Sequence, residues 1–304
     1  MSQDKTTNKQ KERKNKMNCN PADHDLDFLR NCTKEELEPI VGAILDKDEH
    51  GNINKRGRLT SDLDMSDTFK QYFPDHTKYV DDIIAEVQQF GSNTFATAFR
   101  GYGVTYHEVL CDVCDKLDVN YPKTARAEKI EHCLIEKVLD DAWEKMSQND
   151  RDALLKELGE GRIKAGGSIG AAMIAAFRLG GFNSYKITLI VVNAIAKAIL
   201  GRGITLAGNA ALCRVLGVLA GPIGWAITGA WTALDIASAA YRVTIPACVY
   251  IAALRMMKQA QESSGNVDEN SAEGRLLKLK ELKERGLISD DEYNSKRAEI
   301  LASL

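Results

Sequence analysis

The hydrophobic positions of this chain repeat with a helical period. Val80, Ile83, Ile84 and Val87 are spaced three or four residues apart, which places them on one face of an α-helix. Ile130, Leu134, Val138 and Trp143 continue this pattern further along the chain. No alternating, strand-like stretch occurs before Gly161. The pattern predicts an all-α protein in which residues 22–160 form a helical bundle.

Polar residues and glycines mark where these helices begin and end. Thr33 is followed three residues later by Glu36, the spacing of a capping box at a helix start. Gly101 and Gly103 interrupt the apolar pattern before it resumes at Tyr106. No third glycine or preceding buried strand accompanies them, so the pair predicts a helix-to-helix turn rather than a phosphate-binding loop.

Residues 161–258 are rich in glycine, alanine and apolar residues. The abundance of alanine and the lack of alternation predict helices over 169–182, 187–200, 204–220, 223–240 and 243–257. Residues 215–234 form a run of twenty uncharged residues, enough for a helix to cross a hydrocarbon core of about 30 Å. The spacings Gly166 to Gly170 and Gly217 to Gly221 allow close helix approach. The segment therefore fits either a tightly packed core or a hairpin that inserts conditionally into a bilayer.

The sequence pattern predicts a separate structural unit at the end of the chain. A polar linker spans 259–272, and residues 273–304 carry a leucine stripe, a stop at Gly286 and a second capping box formed by Ser289 and Glu292. We expect a helical hairpin too small to bury its own apolar residues, which therefore self-associates or docks on a protein partner. The side chains expected to mediate this contact are Leu276, Leu279, Leu282, Tyr293 and Ile300.

Charge divides the chain into an acidic half and a basic half. Residues 22–160 contain 17 basic and 30 acidic residues, whereas residues 161–258 contain ten Lys or Arg and one acid. This asymmetry predicts either docking of the two halves on each other or an anionic partner for the second, such as a membrane surface. Few aromatic residues lie among these bases, which disfavours binding to single-stranded nucleic acid. The residues expected to contact an anionic surface are Lys164, Arg178, Lys186, Lys197, Arg202, Arg214 and Arg255.

Asp235, the acid of the basic segment, is predicted to be buried or partly buried with Arg242. The two residues lie seven positions apart, two turns along one face of a continuous helix. Burying the carboxylate without a partner would be costly.

The first residues and the cysteines predict a location. Residues 1–21 are hydrophilic and basic, typical of a disordered arm rather than of a secretion signal. Seven cysteines, an odd number, are scattered along the chain, which favours a reducing compartment. We expect a cytoplasmic protein, and contact with the inner membrane, peripheral or by conditional insertion, stays open.

Candidate chemistry is sparse. The loop that begins at Asp46 resembles a calcium site but has Gly57 where a bidentate glutamate is needed. His107, Cys111 and Cys114 share a helix face, and His132 with Cys133 lies further along, but this is a weak zinc pattern that leaves metal binding open. We therefore predict no cofactor, no metal and no catalytic residue.

The tail resembles the SHOCT family of short C-terminal domains. The residues that carry the likeness are LKLKELKERGLISDDEYNSKRAEIL, which match the family pattern almost throughout. The resemblance implies a module that acts in attachment or self-association.

The preceding residues resemble the UPF0174 family of bacterial proteins. The likeness rests on DLDFLRNCTKEEL, which is similar to a DUF3944-type element, on FGSNTFATAFRGYGVTYHEVLCDVCDKL, and above all on SAAYRVTIPACVYIAALRMM. The family is grouped at a distance with ubiquinol-cytochrome c chaperones, assembly factors that act at membranes. The resemblance implies a binding role and supplies no catalytic residues.

Three functions compete at this level. The first is a non-enzymatic, membrane-associated helical protein with an assembly or chaperone-like role. The second is a conditional pore-forming or membrane-disrupting effector whose acidic half masks the inserting segment. The third, least favoured, is a hydrolase that uses Asp112, Asp115 and Asp118, a spacing more typical of a solvated helix face.

Overall fold

The computed structural model describes residues 18–45, 63–90, 102–149, 151–152, 170–171, 174–175, 181–200, 222, 239–265, 272–284 and 288–302. Within these ranges it contains nine α-helices and no strand. The predicted all-helical fold class is confirmed over this part of the chain.

The helices follow one another in simple order. The α-helices are α1 (Lys34–Ile44), α2 (Asp67–Tyr72), α3 (Val80–Phe90), α4 (Tyr106–Lys116), α5 (Ala127–Lys145), α6 (Gly181–Leu200), α7 (Ala239–Gly265), α8 (Ala272–Glu284) and α9 (Asp290–Ala302). Short 3-10 helices cover Asp27–Asn31, Leu63–Met65 and His76–Tyr79.

Side-chain caps explain where several of the helices begin. The Thr33 hydroxyl accepts a hydrogen bond from the Glu36 amide at 3.3 Å, and the Glu36 carboxylate accepts one from the Thr33 amide at 2.8 Å. The predicted capping box at α1 is therefore confirmed. Ser66 and Thr105 cap α2 and α4 in the same way, each accepting a hydrogen bond from an amide in the first turn. Each of these caps satisfies an amide that the helix leaves without a partner.

Helix α7 lies at the centre of the body. It packs against α6, α1, α5, α4 and α3, and every residue from Val243 to Leu254 is buried. Helices from both sides of residue 161 belong to one hydrophobic core. The change in composition at residue 161 is therefore not a break in packing.

Two glycines allow close contacts with the backbone of a neighbouring helix. A side chain at Gly103 would meet the backbone carbonyl of Gln88 at 2.4 Å. A side chain at Gly170 would meet the Glu136 carbonyl oxygen at 2.3 Å, and the Gly170 amide donates to Asp140 Oδ1 at 2.7 Å. Close approach was predicted at Gly170, whereas its partner in that spacing, Gly166, lies outside the described residues.

The C-terminal helices form a hairpin. Helices α8 and α9 pack on each other, and the Lys283 amine is 2.8 Å from Asp290 Oδ1 and 4.4 Å from the centre of the Tyr293 ring. Leu279 and Ile300 are buried but do not belong to the main core.

No helix within the described ranges is both long enough and apolar enough to span a bilayer. Of the uncharged run at 215–234, the structure describes residue 222 alone.

Candidate functional site: a buried cluster around Arg255

A buried ion pair joins α7 to α5. The Arg255 Nε atom lies 2.7 Å from Glu131 Oε2, with 11% of the Arg255 side chain and 1% of the Glu131 side chain exposed. The Tyr106 hydroxyl on α4 donates to the other carboxylate oxygen at 2.9 Å. Both oxygens of this buried carboxylate therefore accept a hydrogen bond, as a buried charge requires.

The same guanidinium also holds the N-terminal segment, which we define as residues 18–31. Arg255 Nη2 donates to the Asp25 carbonyl oxygen at 2.6 Å, and the guanidinium carbon lies 4.3 Å from the centre of the Phe28 ring. A cation above an aromatic face is attracted by the electrons of the ring. Arg255 thus connects three parts of the body through one planar group.

Burial dominates the electrostatics of this cluster. Loss of solvent raises the pKa of Glu131, and the opposing effects of Arg255 and Tyr106 do not cancel that rise. Burial and the adjacent Glu131 carboxylate raise the pKa of Tyr106 well above its ordinary value. Tyr106 therefore remains a hydrogen-bond donor at neutral pH.

A second ion pair lies one turn further along α7. The Lys258 amine is 2.7 Å from Glu36 Oε1, and 5% of the Glu36 side chain is exposed. The Tyr250 hydroxyl donates to the Glu36 backbone carbonyl at 2.9 Å. Glu36 thus serves both the capping box of α1 and the attachment of α7.

Gln88, which is fully buried on α3, fastens the beginning of the N-terminal segment. Its side-chain oxygen accepts from the Asn20 amide at 2.8 Å, and its side-chain nitrogen donates to Asp23 Oδ2 at 2.7 Å. The same Asp23 oxygen accepts from the Tyr106 amide at 2.6 Å. The segment is therefore held by side chains and backbone of α3, α4 and α7.

Of the seven residues predicted to contact an anionic surface, the structure describes the side chains of Lys197 and Arg255. Lys197 is exposed on α6, and Lys186 lies in α6 with its side chain outside the description. Four others lie outside the described residues: Lys164, Arg178, Arg202 and Arg214.

For Arg255 the prediction needs correction. Its charge is directed inward to Glu131 and its side chain is largely buried, so it is not available to a surface in this structure. The basic residues of 161–258 therefore do not behave alike, because Arg255 and Lys258 pair with buried acids of the first half of the chain.

Asp235 and Arg242 were predicted to be buried together, and the structure describes one of the two. Arg242 is half-buried in α7, whereas Asp235 lies outside the described residues.

The histidine and cysteines of α4 are close to one another. His107 Nδ1 lies 3.7 Å from Cys111 Sγ, and His107 Nε2 lies 2.9 Å from the Ala125 carbonyl oxygen. Burial raises the pKa of both Cys111 and Cys114, so both remain thiols at neutral pH. Within the described ranges no group of three or more His, Cys, Asp or Glu side chains is arranged to hold a metal ion. The loop beginning at Asp46 lies outside the described residues.

The acids considered for hydrolysis have different surroundings. Asp115 accepts hydrogen bonds from Tyr121 at 2.8 Å and from Lys123 at 2.9 Å, and these contacts lower its pKa. Burial, together with Asp115 and Glu108, raises the pKa of Asp112. Asp118 has a φ of 53° at the turn after α4, a conformation that aspartate tolerates better than most residues.

The residues predicted for self-association lie in the hairpin. Leu279 and Ile300 are buried, and Leu276, Leu282 and Tyr293 are half-buried. Leu301 next to them is 43% exposed.

Comparison with known proteins places the chain among its relatives. A UPF0174 protein of Helicobacter pylori strain J99 is 43% identical over 242 residues, which cover 78% of this chain and 92% of the relative. The UPF0174 protein YaaW of Escherichia coli strain K12 is 30% identical over 247 residues, which cover 79% of this chain and 97% of YaaW. The chain belongs to the UPF0174 family.

Two family models add to this relationship. A model described as ubiquinol-cytochrome C chaperone matches residues 75–249, and one described as short C-terminal domain matches residues 275–301. The resemblance to the UPF0174 and SHOCT families inferred from the sequence is confirmed. No solved structure gives a significant match.

The structural roles of Glu131 and Gln88 were not predicted from the sequence. Glu131 lies on the same helix face as Leu134, Ile135 and Val138, three, four and seven residues further on, and all of them are buried. An acid in a core stripe is a sign of a buried ion pair, but this sign does not name the partner. Gln88 had no comparable sign.

Proposed function

We propose that this UPF0174 protein is a non-enzymatic binding protein with an assembly or chaperone-like role. The observation that carries the proposal is the match of residues 75–249 to a family model described as a chaperone. The hairpin supports it, because α8 and α9 form a small helical unit outside the main core, attached to a body that surrounds α7. A small helical unit outside the core can bind a partner while the body keeps its fold.

The binding partner is a protein, reached through the hairpin, or a second copy of the chain. Site-specific photo-crosslinking in cells tests this proposal. A crosslinker replaces the exposed residue Asn294 on α9, and a control places it at exposed Glu144 on α5. Reproducible crosslinks to a protein from position 294 but not from 144 are the expected result. Crosslinks that occur equally at both positions would contradict a specific contact at the hairpin.

The role includes peripheral association with an anionic membrane through the basic segment. Residues 161–258 carry ten basic residues and one acid. Arg255 and Lys258 pair with buried acids, and among the other basic residues Lys197 is exposed. Each cation near an anionic surface contributes about 1 kcal/mol, an effect that salt screens.

Vesicle flotation tests the membrane part. The protein should float with phosphatidylglycerol vesicles at low salt and not with phosphatidylcholine vesicles. Lys197→Glu should weaken binding about fivefold or more, whereas Lys129→Glu, at an exposed position of α5, should have a smaller effect. Absence of binding to both vesicles would refute membrane association. Release of a trapped dye would instead favour the membrane-disrupting alternative.

A further inference from the structure

His107 and Cys111 form a pair of an imidazole and a thiol on α4. The two residues are four positions apart and therefore neighbours on one face of the helix, and His107 Nδ1 lies 3.7 Å from Cys111 Sγ. His107 Nε2 lies 2.9 Å from the Ala125 carbonyl oxygen. A carbonyl oxygen can only accept a hydrogen bond, so Nε2 carries a proton. In the neutral ring, Nδ1 then presents its lone pair to the thiol.

The segment that follows α4 fixes this arrangement. The Tyr121 hydroxyl donates to the Cys111 carbonyl oxygen at 3.2 Å and to Asp115 Oδ1 at 2.8 Å. Ala125, whose carbonyl orients the imidazole, lies four residues further along the same segment. A nucleophile beside a base that a third group orients is the arrangement that activates a thiol for attack.

The thiol needs such a base. Burial and the carboxylates of Asp115 and Asp112 raise the pKa of Cys111, and the opposing effects of Tyr121 and Lys123 do not cancel that rise. Cys111 is therefore protonated at neutral pH, whereas the thiolate is the form that attacks. His107 Nδ1 is in position to take up the proton.

Cys19 provides a comparison within the same chain. Cys19 and Cys111 are both partly exposed. Burial and two aspartates raise the pKa of each thiol, and one nearby cation opposes the rise. The Cys19 thiol, however, donates to the Asp81 backbone carbonyl at 3.2 Å, and a carbonyl oxygen does not remove a thiol proton at neutral pH. The two thiols thus differ in the base beside them.

We propose that Cys111 is a site of reversible thiol modification, at which a small, uncharged or cationic disulfide forms a mixed disulfide with His107 acting as the base. The imidazole takes the thiol proton, and the Cys111 sulfur forms a bond to one sulfur of the reagent. The S–S bond of the reagent breaks, and its second sulfur leaves with the electron pair and receives the proton from His107. Cys111 is oxidised and half of the reagent is reduced to a free thiol, so the disulfide is itself the oxidant.

The charges around the pair determine which reagent approaches. Glu108, Asp112 and Asp115 are exposed on α4 next to the pair. Lys123, 2.9 Å from Asp115, and Lys116 offset part of this negative charge. The remaining excess repels an anion and attracts a cation. A disulfide that carries amines therefore suits the site better than one that carries carboxylates.

Mixed-disulfide formation with cystamine tests the proposal on the reduced, full-length protein, with each cysteine followed by peptide mass spectrometry. Cys111 should react at least about tenfold faster than Cys19, the lower end of what a positioned base contributes. His107→Gln should remove most of this difference. His24→Gln, which alters an exposed histidine beside Asp27, should retain it. Equal rates at Cys111 and Cys19 in the unaltered protein, or an unchanged ratio in His107→Gln, would overturn the proposal.

Two further measurements complete the test. Cys114 and Cys248 are buried and should stay unmodified; if they react in His107→Gln, that variant has opened the fold and the ratio in the unaltered protein decides alone. The charge of the reagent is tested with dithiodipropionate, a dianionic disulfide. Cys111 should prefer cystamine, and Asp112→Asn should reduce this preference by weakening the local negative charge. The same preference in Asp112→Asn as in the unaltered protein would overturn the assigned charge class.

Discussion

Helix α7 and the α8–α9 hairpin both place lysine or arginine among apolar residues, yet they use these cations differently. In α7, Arg255 and Lys258 pair with Glu131 and Glu36, which are almost completely buried. In the hairpin, Lys283 pairs with Asp290, whose side chain is 79% exposed. An exposed pair contributes about 0 to 1 kcal/mol, whereas removal of one partner of a buried pair is strongly destabilising. A basic, apolar stretch therefore does not by itself indicate a surface that binds anions.

The comparison is tested most severely at Arg255. Arg255→Met leaves Glu131 buried without its cation and should lower the free energy of unfolding by about 3 to 5 kcal/mol. Urea denaturation followed by circular dichroism measures the loss. The double variant Glu131→Leu with Arg255→Met removes both charges and should recover most of it. If the single variant were as stable as the unaltered protein, the pair would not hold α7.

The difference between these two regions also shows how far the sequence alone could lead. Apolar periodicity and capping patterns predicted the helices, because both are local properties. The pairing of Arg255 with Glu131 joins residues far apart in the chain, and many acids of the first half could equally have been its partner. Segment charge likewise predicted docking of the halves as one of two outcomes. The segment charge could not determine which basic side chains pair with acids when the two halves pack together.

Close packing within the body is tested at Gly103. Gly103→Ala would place a methyl group against the Gln88 backbone at 2.4 Å, which cannot move without shifting α3. We expect a loss of about 1 to 3 kcal/mol in the free energy of unfolding. Gly42→Ala is the control, because its methyl group meets the end of the Leu200 side chain, which can rotate away. Equal losses in the two variants would argue against a rigid contact at Gly103.

Two capping boxes allow a matched comparison of body and hairpin. Thr33→Ala removes the cap of α1, whose Glu36 also pairs with Lys258, and should cost about 1 kcal/mol in global stability. Ser289→Ala removes the equivalent cap of α9, where the Glu292 amide donates to the Ser289 hydroxyl at 3.3 Å. This change should increase hydrogen exchange in the hairpin and leave unfolding of the body unaltered. Loss of body stability in Ser289→Ala would mean that the hairpin is part of the core.

Removal of the hairpin should have the smallest effect on stability and a clear effect on association. Leu279 and Ile300 are buried outside the main core, so a chain that ends at Ser271 should unfold at nearly the same temperature as the full chain. The half-buried side chains of Leu276, Leu282 and Tyr293, with exposed Leu301, are the apolar surface that truncation removes. If this surface mediates self-association, light scattering should give a smaller mass for the truncated protein than for the intact one. A large fall in melting temperature with an unchanged mass would show instead that the hairpin stabilises the body, and the contrast with α7 would then fail.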